Sequence, residues 1–107
     1  MLEGVLGNAS AEKVLLYIEQ YGEGYATAIA KNFDGLSLHM AQRQLERFER
    51  AGALVSSLKG RTRLYTSNSR YPFLKQLRAL LARALQVLPA TRAKALLLRT
   101  APTASGG

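Results

Sequence analysis

The chain has 107 residues, a formal net charge of +8, 48% hydrophobic residues and no cysteine. That is enough for one domain with its own small core, and it excludes a disulfide framework, a thiolate metal site and a cysteine redox switch. No apolar run approaches the roughly 20 residues of a membrane span, and the N-terminus lacks the basic start and apolar middle of a secretory signal, so the expected compartment is the cytoplasm. The charge is uneven: residues 1–36 carry Lys13 and Lys31 against Glu3, Glu12, Glu19, Glu23 and Asp34, a net −3, while residues 37–107 carry the other 13 basic residues against Glu46 and Glu49, a net +11. A balance of that kind suits a polyanionic partner.

Leu2, Val5 and Leu6 have helical spacing and predict a short lead-in helix, weakened by Gly4 and Gly7. Asn8 or Ser10 caps a helix over about Ala11–Tyr21, with Glu12 favourable in its first turn. Val14, Leu15, Ile18 and Tyr21 form its buried face; Leu16 and Tyr17 widen the stripe, so that one of them faces another element or a partner chain. Gly22 and Gly24 read as turn residues that end this helix and set up the next, about Ala26–Phe33, in which Ala26, Ile29, Ala30 and Phe33 repeat at helical spacing. Asp34-Gly35-Leu36-Ser37 breaks that helix, and Ser37 caps a further one in which Ala41, Leu45 and Phe48 point inward. Its other side presents His39, Met40, Gln42, Arg43, Gln44 and Arg47, with Arg50 near the end and Glu46 placed to pair with it.

Gly52 ends this helix, and Leu54–Leu58 follows as a strand. Lys59-Gly60 turns the chain back into Arg61–Tyr65, which puts Lys59, Arg61 and Arg63 at the hairpin tip and on the returning strand, with Tyr65 or Leu64 tucked to the core. Pro72 then suits the first turn of a long helix running to about Leu88. Leu74, Leu77, Leu81, Ala84 and Leu88 alternate three- and four-residue steps, the spacing of a helix–helix seam, with Leu85 beside them; a helix this apolar at the end of a small domain predicts dimerisation, and the opposing expectation is that it folds over its own first helix. Residues 1–89 are thus read as one domain and 90–107 as a basic tail, with disorder expected from Thr100 to Gly107.

Helix, turn, helix and basic hairpin make a unit suited to reading duplex DNA. Arg43 can donate two bonds to a guanine edge, and Gln42 or Gln44 can pair with adenine. Arg43 and Arg47 can equally sit on phosphates, and Gln44 can close an interface to the first helix. His39 and Met40 lie in the first turn, Ser37 and the first-turn amides suit phosphate, and Lys59, Arg61 and Arg63 can lie along the backbone or enter the minor groove. A single histidine finds no partners for a metal, and there is no nucleophile–base arrangement, no carboxylate pair and no phosphate-cradling glycine loop, so neither catalysis nor a cofactor is expected.

The chain resembles the winged helix-turn-helix transcription regulators of the ArsR-like class. The resemblance is carried by Ala26-Thr27-Ala28-Ile29-Ala30-Lys31-Asn32-Phe33 and Leu36-Ser37, by the run from Gln42 to Val55, by Gly60-Arg61-Thr62-Arg63-Leu64-Tyr65, and by Arg70-Tyr71-Pro72-Phe73-Leu74 with its following helix. It implies a mainly α fold with a small β-hairpin wing and a long C-terminal dimerisation helix. It also implies a homodimeric repressor with two recognition helices about 34 Å apart in successive major grooves. The metal sensors of that class use cysteine pairs, or His and carboxylate groups on the terminal helix; this chain has no cysteine, and residues 71–88 hold no Asp, Glu or His. No residue marks an effector pocket. Two other readings are a winged helix used as a protein-interaction module, which would not need the basic hairpin, and RNA binding, which would favour exposed aromatics on the recognition surface.

Overall fold

The structure is a computed structural model that describes residues 2–87. The expected tail at 90–107 and Leu88, the last residue of the expected seam, lie outside the described residues. Among the described residues five helices and three strands follow in the order α1 (Glu3–Leu6), α2 (Ala9–Tyr21), β1 (Glu23–Tyr25), α3 (Ala26–Asn32), α4 (Leu38–Arg50), β2 (Leu54–Lys59), β3 (Thr62–Ser67) and α5 (Leu74–Val87). The result is an α/β domain with a small antiparallel sheet, compatible with a helix-turn-helix followed by a wing. Among the described residues no helix is long and apolar enough to cross a membrane.

The central element is α2. The side chain of Asn8 accepts from the Ala11 amide and caps it, and every residue from Val14 to Ile18 is buried. Both Leu16 (2% exposed) and Tyr17 (6%) are therefore covered within one chain, because α1, α4, α5 and the sheet enclose α2 from different sides. At its start the buried Glu12 accepts from the Leu2 amide at 2.6 Å, which pins α1 across the helix.

The sheet has the order β1-β3-β2, so the hairpin expected from sequence carries a third strand. Glu23, Gly24 and Tyr25 pair with Thr66, Tyr65 and Leu64. Gly24 is thus a strand residue rather than a turn residue, and its role is close approach: a Cβ there would stand 2.9 Å from a Tyr17 ring carbon and 3.0 Å from the Ile29 Cδ1. At the other end, Lys59 pairs with Thr62, leaving Gly60-Arg61 as a two-residue loop. Gly60 has φ +67° and no described non-glycine residue has positive φ, the type II′ pattern that matches strand twist.

Ile29, Phe33, Leu36, Ala41, Leu45, Phe48, Leu54, Tyr65, Leu81 and Ala84 complete the core. Pro72 lies in the turn ahead of α5, whose first hydrogen bond runs from Leu77 N to Phe73 O; the helix therefore starts later than its proline suggested. The seam expected to join two chains is corrected in its residues. Leu81 (3% exposed) and Ala84 (4%) are buried in the core, and Leu77 and Leu85 pack against it. Leu74 is half-buried beside them. An exposed salt bridge from Arg78 Nε to Glu19 Oε1 at 3.1 Å also links α5 to α2. The reason is geometric: the apolar surface of α2 is wide, with every residue from Val14 to Ile18 buried, and part of it faces α5. Leu80 (38%) and Val87 (52%) stay exposed on α5, and Phe73 (63%) just ahead of it, at heptad steps along the edge of the buried stripe.

Candidate nucleic-acid interface

The turn from α3 to α4 ends at Ser37, whose hydroxyl accepts from the Met40 amide at 3.1 Å and closes the first turn of α4. Burial of Ala41, Leu45 and Phe48 fixes the rotation of this helix and leaves Leu38, His39, Met40, Gln42, Arg43, Glu46, Arg47 and Arg50 exposed. On a 3.6-residue helix His39, Arg43 and Arg50 lie opposite the core face, with Gln42 on the shoulder toward the hairpin.

That shoulder and the hairpin enclose a groove of about 280 Å3, with Gln42 and Glu46 on one wall, Arg61, Thr62 and Arg63 on the other, and Thr27 from the start of α3 at its end. Lys59, Arg61 and Arg63 are all exposed. The root of the hairpin is tied to α4 through polar contacts. Ser56 Oγ donates to Glu49 Oε2 at 2.6 Å, and Arg63 Nη1 donates to Ser56 Oγ at 3.2 Å. Arg63 is therefore anchored as well as exposed, while Arg61 stands on the loop itself.

Tyr65 lies between the two carboxylates and the arginine. Burial pushes its hydroxyl above the usual value of 10.0, the negative charges of Glu49 and Glu46 push it further, and Arg63 works against them. Glu46 and Glu49 are the acidic groups among the cations of this face. A carboxylate here repels phosphate, but it can accept from the amino group of cytosine.

Two of the sequence-predicted contact residues are drawn elsewhere. Arg47 donates through Nη2 to the carbonyl of Leu6 at 2.9 Å and through Nη1 to Gln44 Oε1 at 2.8 Å, and its guanidinium carbon lies 5.0 Å from the centre of the Phe48 ring. The last residues of α1 leave carbonyls without helical partners, and Arg47 supplies a donor to one of them. Arg47 and the half-buried Gln44 thus anchor α1 to α4. Ser37, His39, Met40, Gln42, Arg43, Lys59, Arg61 and Arg63 are all exposed on α4, its cap and the hairpin. Tyr25, Thr27 and Glu46 join the groove without having been singled out as contacts; for Tyr25 and Thr27 the only signal was their position at the start of the helix before the turn.

Among the described residues no group of three or more His, Asp or Glu side chains is placed to hold a metal ion. No protein-family model, curated protein or solved structure matches the chain.

Proposed function

We propose that the chain is a sequence-specific double-stranded-DNA-binding transcription regulator with a winged helix-turn-helix of the ArsR-like kind, acting in the cytoplasm as a homodimeric repressor. The observation that carries this reading is the groove in which Gln42 of α4 faces Arg61 and Arg63 of the hairpin, with Arg43 exposed on the adjoining turn. Arg43 and Gln42 then address base edges from the major groove. Lys59, Arg61, Arg63 and the Ser37-capped end of α4 hold the phosphate backbone. Glu46 limits binding to sequences that offer an amino group at its position.

The homodimer rests on the outer stripe of α5. Phe73, Leu80 and Val87 form an exposed apolar line at heptad steps beside helix faces already covered by the core, and a second copy of α5 would cover it. The interface is then displaced around the helix from the Leu77–Leu81–Ala84 line.

The test is the salt dependence of binding. Replacing Arg61 and Arg63 together with alanine is expected to weaken binding to every duplex and to flatten the plot of log affinity against log salt by about 0.9 for each phosphate no longer neutralised. An unchanged slope would remove the hairpin from the interface. One observation favours a second reading, a protein-interaction module: Leu38 (42% exposed), Met40 (40%) and Leu58 (62%) put apolar surface on and beside the same face. That reading expects weak, salt-insensitive DNA binding.

A further inference from the structure

A second groove adjoins the first through Tyr25 and is lined mostly from the acidic N-terminal part of the sequence. It measures about 310 Å3 and is walled by Tyr17, Tyr21, Glu23, Gly24, Tyr25 and Ala28, with Leu64 of β3 beside them. This is at the small end of the roughly 300–1,000 Å3 range of ligand pockets. Three of its walls are tyrosine rings brought together from the end of α2 and the end of β1. The rings of Tyr17 and Tyr21 stand 4.7 Å apart between centroids and are tilted by 48°. Tyr17 is buried, while Tyr21 and Tyr25 are half-buried and open to the groove. Gly24 contributes no side chain, and the Tyr17 ring comes closer to it than a Cβ would allow.

The electrostatics of this place have one sign. Glu23 is the charged residue among those that line it, and no Lys, Arg or His does. It also sits at the last turn of α2, where the partial negative charge of a helix C-terminus collects, and it is built mainly from the segment 1–36, which carries two lysines against five acidic residues. Aromatic rings present negative faces to a cation, and the carboxylate completes the attraction. From this juxtaposition we infer a binding site for a small organic cation of the alkylammonium class. The rings take the place of water around its alkyl groups, and Glu23 balances its charge. A phosphate or carboxylate ligand would meet Glu23 and no cation among the lining residues.

Tyr25 also lines the groove between α4 and the hairpin. An occupant of the tyrosine site therefore touches a residue shared with the DNA-facing groove, which makes the site suitable for an effector. This consequence rests on the DNA-binding reading. The occupancy itself does not, and its test contains no DNA.

The experiment is an amide NMR titration of the protein with tetramethylammonium chloride, against sodium chloride at equal ionic strength and against 3,3-dimethylbutan-1-ol as a neutral probe of similar shape. Saturable shifts centred on Gly24, Tyr25 and Ala28 are expected with tetramethylammonium, about tenfold weaker binding with the alcohol, and a comparable loss in Glu23→Gln. Tyr21→Leu removes the ring and is expected to lose binding, while the amide shifts of residues outside the groove stay those of the parent fold. Equal binding of the alcohol and the cation, or shifts that rise linearly without saturation, would overturn the proposal, as would binding unaffected by both Glu23→Gln and Tyr21→Leu.

Discussion

Replacing Arg47 with alanine separates a structural arginine from a DNA-contacting one. In the fold its guanidinium holds the Leu6 carbonyl at 2.9 Å in a partly buried contact, and the Gln44 oxygen at 2.8 Å in an exposed one. A hydrogen bond to a charged group contributes about 1.5–3 kcal/mol when well buried. Partial exposure lowers that, and the pair with Gln44 adds little because water competes for both partners. The expected cost is about 1–2 kcal/mol, concentrated on the docking of α1. For a domain of this size that corresponds to a fall in Tm of about 5–10 °C, measurable by circular dichroism or scanning fluorimetry. The salt slope of DNA binding should not change, since an arginine turned toward α1 neutralises no phosphate. A variant with the parent Tm and a slope flatter by about 0.9 would refute this assignment and return Arg47 to the DNA face.

The two apolar lines on α5 respond differently to charge. Leu81→Asp puts a carboxylate into a site 3% exposed and is expected to unfold the domain, at a cost above about 3 kcal/mol. Leu80→Asp, at a site 38% exposed, should keep the parent Tm and yield monomers in sedimentation. A dimer that persists places the interface elsewhere. Gly24→Ala drives a methyl into the Tyr17 ring and Ile29 and should cost about 1–3 kcal/mol in denaturant unfolding; a neutral result would mean that β1 moves aside freely. Tyr65 contributes a pH dependence. Its folded-state value lies above the ordinary 10.0, so its contribution is fully present below pH 10 and is lost as the pH rises through the raised value. Unfolding measured across the alkaline range should lose this component in Tyr65→Phe, and an identical alkaline limb would contradict it.

The legible parts of this fold are those whose signal is local. Asn8 and Ser37 announce their caps, Ala41, Leu45 and Phe48 announce the inner face of α4, and Gly60 announces the hairpin turn. Strand β1 had no such signal: three residues, one of them glycine, become a strand only because β3 has a free edge beside them. The spacing of Leu77, Leu81 and Ala84 identified an apolar stripe but not what covers it, since the same stripe serves α2 of its own chain as well as a partner. Arg47 shows a related gap. Sequence places its Cα on the outer part of the helix, but the side chain is long enough to turn back to the end of α1. The tyrosine groove needs three rings from two elements to meet, and each ring had a sufficient explanation as core or as helix boundary when taken alone. The cationic hairpin and the exposed Gln42 and Arg43 were legible as residues; that Glu46 shares a groove with Gln42, Arg61 and Arg63 follows only from the packing of α4 against β2.

The most direct test of DNA recognition is fluorescence anisotropy of the pure protein with labelled duplexes across a salt series, comparing the region upstream of its own gene with a random sequence of equal length. A sequence-specific regulator binds the upstream duplex much more tightly, with affinity falling by several phosphates' worth as salt rises. Weak binding to both duplexes, indifferent to salt, would contradict it.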